Sequence, residues 1–500
     1  MNGNAQHLTR GVLVFFAALL ALSLLQLGID LWLQEVPLAR VLQFPPEQAR
    51  HLNNLFNRSF NQLLAIVLTM VALAVPLTAN MYSLKFLEFF VKDPVNAAAL
   101  GLVVLANWSN SAWGAAIRDG FTPYVGIQFS SLLMALCFAL VVPYLYYVFR
   151  FLHPNTLLAR LEGGFRGELA ACVDGRAGKA GRRRLAEAIE HLGNIGTRSI
   201  ERGDRNTAIE SALALERLLH DYWQHKQRLA DAWFVADPAV FLGYSPRALD
   251  ELSDSRAWVE MKILSEARQL LGSAVGKLPE VVSSVAEVMR RTATAQATQA
   301  DPALRQLVTE YFNTCIRLAI NRKDPRAVFI LFDQYRQFAE ALLAHDAELV
   351  EEIAYYFEYY GQVARDAGLP FVVEAVAHDL GALVQNVWQT GHAIRHALLE
   401  RFLNYDRLSK ATLPGVRRAQ AILASYFLLH GEQGPVERVR ASLRELPAAT
   451  RQALAEELIR IKRENYWEIN ERRINMDYVA EPQREKLREF FASLDAEETC

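Results

Sequence analysis

Three residues have the types and spacing to hold a metal: His392, His396 and Glu400. Intervals of four put all three on one face of a helix, and a His-x-x-x-His pair with a carboxylate is a zinc-ligating set. The glutamate that serves as general base in the His-Glu-x-x-His pattern is missing, and Arg395 lies alongside. The stretch therefore reads as a solvated helical face, and no metal or cofactor is assigned to it. The four cysteines, Cys137, Cys172, Cys315 and Cys500, are scattered without a Cys-x-x-Cys pair. That excludes a disulfide framework or zinc knuckle and fits a reducing compartment. There is no Walker A loop, no Gly-x-Gly-x-x-Gly after a strand, no Gly-x-Ser-x-Gly and no kinase signature, so the chain is not expected to be an enzyme.

Other polar residues stand out by where they fall. Asn107, Asn110 and Ser111 lie inside an otherwise apolar stretch, beside Trp108 and Trp113. At helical spacing they form one polar face. A buried, unpaired amide costs several kcal/mol by transfer scales, so such a face should meet another helix, an aqueous path or the membrane rim. Arg182, Arg183 and Arg184 form a basic run suited to lipid headgroups. Tyr355, Tyr356, Phe357, Tyr359 and Tyr360 surround one helix with aromatics, as core packing or a partner contact would.

The elements that must position these residues divide in two. The first ~150 residues are strongly apolar and hold four candidate spans at about 11–32, 63–82, 95–117 and 124–149. Each approaches or exceeds the ~20 residues needed to cross ~30 Å of hydrocarbon. The last is uncharged from Tyr124 to Phe149 and flanked by tyrosines, in the manner of an interfacial belt. The first is too long for the apolar core of a leader peptide. Pro45-Pro46-Glu47 reads as a helix start, leading an amphipathic segment toward the second span. After Phe149 comes Arg150, then Arg160, Arg166, Arg176, Lys179 and the 182–184 run. Positive charge beside a span marks its cytoplasmic side. With four spans, both termini are then cytoplasmic.

Residues 153–500 read as helical throughout. Leu185, Ile189, Leu192 and Ile195 show the three-and-four spacing, and turn signals such as Ser245-Pro246, Asp301-Pro302 and Pro414-Gly415 punctuate the rest. Ile200-Glu-Arg-Gly-Asp204 and Ile320-Asn-Arg-Lys-Asp324 each link two apolar-periodic stretches. That weak repeat suggests helical hairpins in an α-solenoid or a bundle. The fold class is all-α: a four-helix transmembrane domain over 1–152, then a multi-helix cytoplasmic domain. Charge is balanced, 53 basic against 55 acidic residues, which gives no argument for nucleic acid.

The stretch from Tyr82 through Lys85, Glu88, Lys92 and Asp93 into Gly101 resembles a bacterial family of uncharacterised predicted inner-membrane proteins. These have four N-terminal spans and a helical cytoplasmic part. Leu185 to Leu219, with Gly203-Asp204-Arg205-Asn206 at its centre, is similar to that family's helical segment. Arg205 replaces the proline of the family's Asp-Pro turn; Asp324-Pro325 supplies it in the second unit. The resemblance implies architecture and compartment only. Two functions fit: an oligomeric channel or transporter-like assembly with a cytoplasmic regulatory domain, and a membrane-anchored sensor or scaffold that binds a cytoplasmic protein partner. Membrane lipid and further copies of the chain are the other expected partners.

Overall fold

The computed structural model describes residues 2–34, 45–82, 85–118, 121–405, 413–465, 472 and 474–496. Every named element among them is helical; the only extended pairing is an isolated bridge between Arg118 and Phe121. The chain divides into two compact units, Met1–Leu157 and Leu158–Cys500.

The first unit contains α1 (Asn2–Gln34), α2 (Pro46–Met81), α3 (Lys85–Lys92), α4 (Pro94–Ala116) and α5 (Tyr124–Phe151). The amphipathic segment that begins at Pro45-Pro46 runs without a break into the second apolar stretch, so both belong to α2. Pro46 and Pro94 occupy early helical positions where no N–H is needed. Asp93 caps α4, accepting from Val95 N at 3.0 Å and Asn96 N at 3.3 Å. Helix α5 is central and packs on α1, α2 and α4. Its inner stripe of Gly126, Ser130, Leu133, Met134 and Cys137 meets Ala106 of α4 and Phe60 of α2. Gly126 is small for a reason: a Cβ there would run into the Trp113 indole.

Two helices of this unit, α2 and α5, are long and apolar enough to cross a membrane. The expected first span lies within α1, whose apolar part among the described side chains, Ala17–Trp32, is shorter than the two spanning helices. The expected third span, α4, is helical over 23 residues but falls outside the pair. Asn96, Asn107, Ser109, Asn110 and Ser111 dilute its apolar character.

In the second unit, α6 (Pro154–Val173), α7 (Gly178–Glu201) and α8 (Arg205–Lys226) precede a 3-10 turn at Asp231–Trp233. There follow α9 (Pro246–Asp254), α10 (Trp258–Ala274), α11 (Pro279–Thr294), α12 (Gln296–Ala300), α13 (Pro302–Asn321) and α14 (Pro325–Leu342). The remaining helices are α15 (Ala347–Asp366), α16 (Phe371–Gln389), α17 (Arg395–Tyr405), α18 (Pro414–Leu429), α19 (Gln433–Arg444), α20 (Ala448–Arg460) and α21 (Glu481–Ala496). The longer helices alternate between two rows. One runs α7, α10, α13, α15, α17; the other runs α8, α11, α14, α16, α18, and α21 packs on its end. Each helix lies against the next of its own row, and α7 with α8, α10 with α11, α13 with α14 and α15 with α16 pack across the rows, as in stacked helical repeats.

The repeated turn has one geometry. After α7, Gly203 at φ +75° donates to Ile200 O and Asp204 N donates to Ser199 O; after α13, Lys323 at φ +52° donates to Ile320 O and Asp324 N to Ala319 O. Both are Schellman closures. Each then uses its aspartate to cap the next helix, Asp204 at Thr207 N and Asp324 at Ala327 N, each 3.1 Å. The core is aromatic where α13, α14 and α15 meet: Phe312 stacks on Tyr335 at 4.9 Å, and Tyr335 on Phe357 at 5.4 Å.

Candidate functional site

The residues singled out in the sequence separate in space. Helix α16 ends at Gln389 in a Schellman closure through Gly391, with His392 N donating to Val387 O, and α17 begins only at Arg395. His392 is therefore in the turn, not on a helix face with His396 and Glu400. His396 instead packs edge-on to Trp388 at 5.2 Å, and Glu400 pairs with Arg438. Among the described residues no group of three histidine, cysteine, aspartate or glutamate side chains could hold a metal.

On α4 the expected polar face splits. The buried stripe runs through Ala106, Ser109, Asn110 and Trp113, with Asn107 half-buried at its edge and Ser111 exposed outside it. At 100° per residue, Asn110 and Ser111 fall on opposite sides of Asn107, and packing selects the Asn110 side. Asn110 Nδ2 and, on α2, Asn53 Oδ1 are buried without a hydrogen-bond partner. Around them the unit is polar and closed. Trp113 Nε1 donates to Gln26 at 3.1 Å, and Asp30 accepts from Val125 N (2.8 Å) and Gly126 N (3.0 Å) at the start of α5. Asp30, on α1, thus caps a different helix. At the other end of α5, Tyr147 donates to Asp93 at 2.7 Å.

The arginine run is largely committed within its own unit. Arg182 donates to the carbonyls of Ala232, Trp233 and Val235, and Arg184 to Glu168 at 2.6 Å, while Arg183 is exposed beside Glu187. The α15 aromatics divide by face. Phe357 and Tyr360 are core; Tyr355 and Tyr359 are exposed beneath the guanidiniums of Arg401 and Arg317.

Two charged clusters lie elsewhere. Glu260 is completely buried, with Lys226 Nζ at 2.6 Å and Trp223 Nε1 at 3.2 Å. Burial pushes its carboxyl above the ordinary glutamate value despite the lysine. Sealed in this way, it is an internal ion pair.

The second cluster lines a groove over α14, α16 and α18, crossed by Arg472 and the non-helical stretch 474–480. Asp379 of α16 is 2% exposed and receives Arg472 in a fork, Nη1 to Oδ1 at 2.7 Å and Nη2 to Oδ2 at 2.8 Å. Arg472 also donates to Phe329 O at 2.9 Å and lies 4.0 Å above the Phe329 ring. Arg336 of α14 reaches the same Asp379 at 3.3 Å. Burial alone would ease the proton off Arg336, but Asp379, Glu340 and Asp333 raise its pKa above the usual arginine value. Five residues along, Asp477 sits 3.2 Å from His378 Nε2 and 3.0 Å from Arg418 Nε. Burial opposes ionisation of Asp477, yet the His378 imidazole and Arg418 guanidinium hold its carboxyl below the ordinary value. Cavities of about 330 Å³ and 250 Å³ flank the segment; His378 borders both.

This site was missed in the sequence. One signal was available: His378-Asp379 interrupts the apolar run from Ala375 to Val384. Arg472 and Asp477 carry no comparable mark. No protein-family model, curated protein or solved structure matches the chain.

Proposed function

We propose that the chain is a membrane-anchored scaffold. The first unit holds it in a bilayer, and the helical array binds a non-helical protein segment in the groove over α14, α16 and α18. The observation that carries the anchoring is where the apolar side chains point. Of 33 large apolar side chains exposed among the described residues, 25 belong to the first unit. In their most apolar windows only 11% of α2 and 28% of α5 is buried. The core helix of a water-soluble protein would be mostly buried, and neither helix lies where a leader peptide would. Four membrane crossings by α1, α2, α4 and α5 complete the reading. The arginines after α5 then mark the cytoplasmic side, in a bacterial inner membrane with both termini inside.

Alkaline carbonate washing tests the anchoring: the chain stays with the membrane pellet, and release into the supernatant would refute it. A periplasm-only reporter fused after Cys500 should be silent. For the scaffold, a photo-crosslinker at Phe371, on the groove, should give a discrete protein adduct in native membranes, and one at Tyr244, outside it, should not.

A second reading, an oligomeric channel, is supported by the orphaned amides of Asn53 and Asn110. Polar groups inside spans face bundle interiors or aqueous paths. Purified protein in a planar bilayer separates the two: the channel reading requires ion conductance, the scaffold reading none.

A further inference from the structure

We propose that Arg472 and residues 474–480 form an internal ligand of the groove: a latch that a partner segment bearing an arginine displaces by taking its place on Asp379. This rests on the scaffold reading and adds to it the chemistry of the partner and a means of control.

The groove reads an arginine in three ways at once. Asp379 accepts the guanidinium fork, the Phe329 carbonyl takes a further N–H, and the Phe329 ring lies beneath the guanidinium plane. A lysine has neither the fork nor the plane. The groove also reads a carboxylate, through His378 and Arg418 at Asp477. Over the intervening residues the segment makes its own turn: Asp477 N donates to Asn475 Oδ1 at 3.1 Å, and Tyr478 N to Asn475 O at 3.0 Å. The partner is therefore a non-helical polypeptide stretch with an arginine followed, five residues on, by an acid.

The latch is held differently from the rest of the unit. Neighbouring α21 buries Leu487, Phe490 and Leu494. The latch buries Val479 but leaves Ile474 43% exposed, and its main anchors are ionic. Buried ion pairs roughly break even against desolvation, while leaving one partner unpaired is strongly unfavourable. With Arg472 lifted, Asp379 keeps only the single contact from Arg336 and loses its forked partner, a place that any arginine can take. The flanking cavities leave room for an incoming segment beside the latch. Because α21 is anchored to α18 through its own apolar face, the latch can lift while α21 stays.

The test uses full-length protein in detergent and a fluorescent synthetic peptide with the sequence of residues 471–480. Arg472→Ala should bind the peptide at least about tenfold more tightly than the unaltered chain, whose own latch competes. Adding Asp379→Asn to that variant should abolish binding, and a peptide with lysine for the arginine should bind weakly. A fold-independent check is hydrogen exchange on the unaltered chain: excess peptide should raise exchange across 474–479 while α18 and α21 stay protected. Equal binding by both proteins would overturn the latch and leave the groove as a peptide site. No binding by Arg472→Ala, with 474–479 freely exchanging and α14 and α16 still protected, would overturn the groove itself and with it the scaffold reading.

Discussion

The two units place their large apolar side chains by opposite rules. In the first, leucines such as Leu73 on α2 and Leu132 on α5 point outward, and the inward stripes carry glycine, serine, asparagine and aspartate. In the second, phenylalanine, leucine and valine fill the space between two helix rows, and charge stays outside or is paired. The same helix satisfies its own backbone in both, so the difference lies in what the side chains face. Where no water competes, apolar contact between helices gives little drive, and small residues and inter-helix hydrogen bonds hold them together. Where water competes, apolar burial is the main force.

The largest expected effect comes from the second rule. Phe312→Ala removes a stacked, buried ring and should cost about 3–5 kcal/mol of unfolding free energy. Phe149→Ala, on the outward face of α5, should cost far less; thermal unfolding of the purified chain reads both. Similar losses would erase the distinction.

Next is a charge on each kind of exposed leucine. Leu73 is 72% exposed and Leu242, in the second unit, 84%. Leu73→Arg should cost about 2.5–3.5 kcal/mol of membrane insertion if it lies near mid-bilayer, and Leu242→Arg within about 0.5 kcal/mol of stability. Membrane-integrated yield against total expression measures the first, thermal unfolding the second.

A smaller effect follows from Asp477. Its carboxyl is held below the ordinary value of 3.8. The clasp with His378 and Arg418 is therefore fully present above that pH and lost as pH falls through the lower folded value. Hydrogen exchange at 474–479 should rise on acidification in the natural chain. In Asp477→Asn it should already be raised at neutral pH and lack that acid-linked rise.

The smallest concerns the repeated turn. Lys323 adopts the left-handed backbone that Gly203 occupies at the equivalent place. Lys323→Gly should stabilise the chain by about 0.5–1 kcal/mol, since relief of αL strain exceeds glycine's extra chain entropy. A lowered midpoint would show the lysine makes an unrecognised contact.

What could be read from sequence was local. The turns at Asp204, Asp301-Pro302 and Asp324-Pro325, the uninterrupted α5, and the helical period of the second unit all lie within a few residues of their cause. So did the sign that broke the His392 face: Gly391, whose positive φ ends α16 before His392. The misses join distant residues. Asp30 caps a helix 95 residues away, and Arg472 meets Asp379 across 93. Neither pairing leaves a mark in any short window. The face of α4 failed for another reason: three polar residues define an arc, and only the packing of α2 and α5 decides which edge is buried.

On the membrane-anchored reading, the exposed leucines of the first unit face lipid and those of the second face water. Leu73→Cys and Leu242→Cys, each compared with the unaltered chain in open membrane fragments, test it with a water-soluble, membrane-impermeant maleimide. Leu242→Cys should label rapidly and Leu73→Cys not above background, although the two positions are almost equally uncovered by protein. Labelling of both at comparable rates would contradict it.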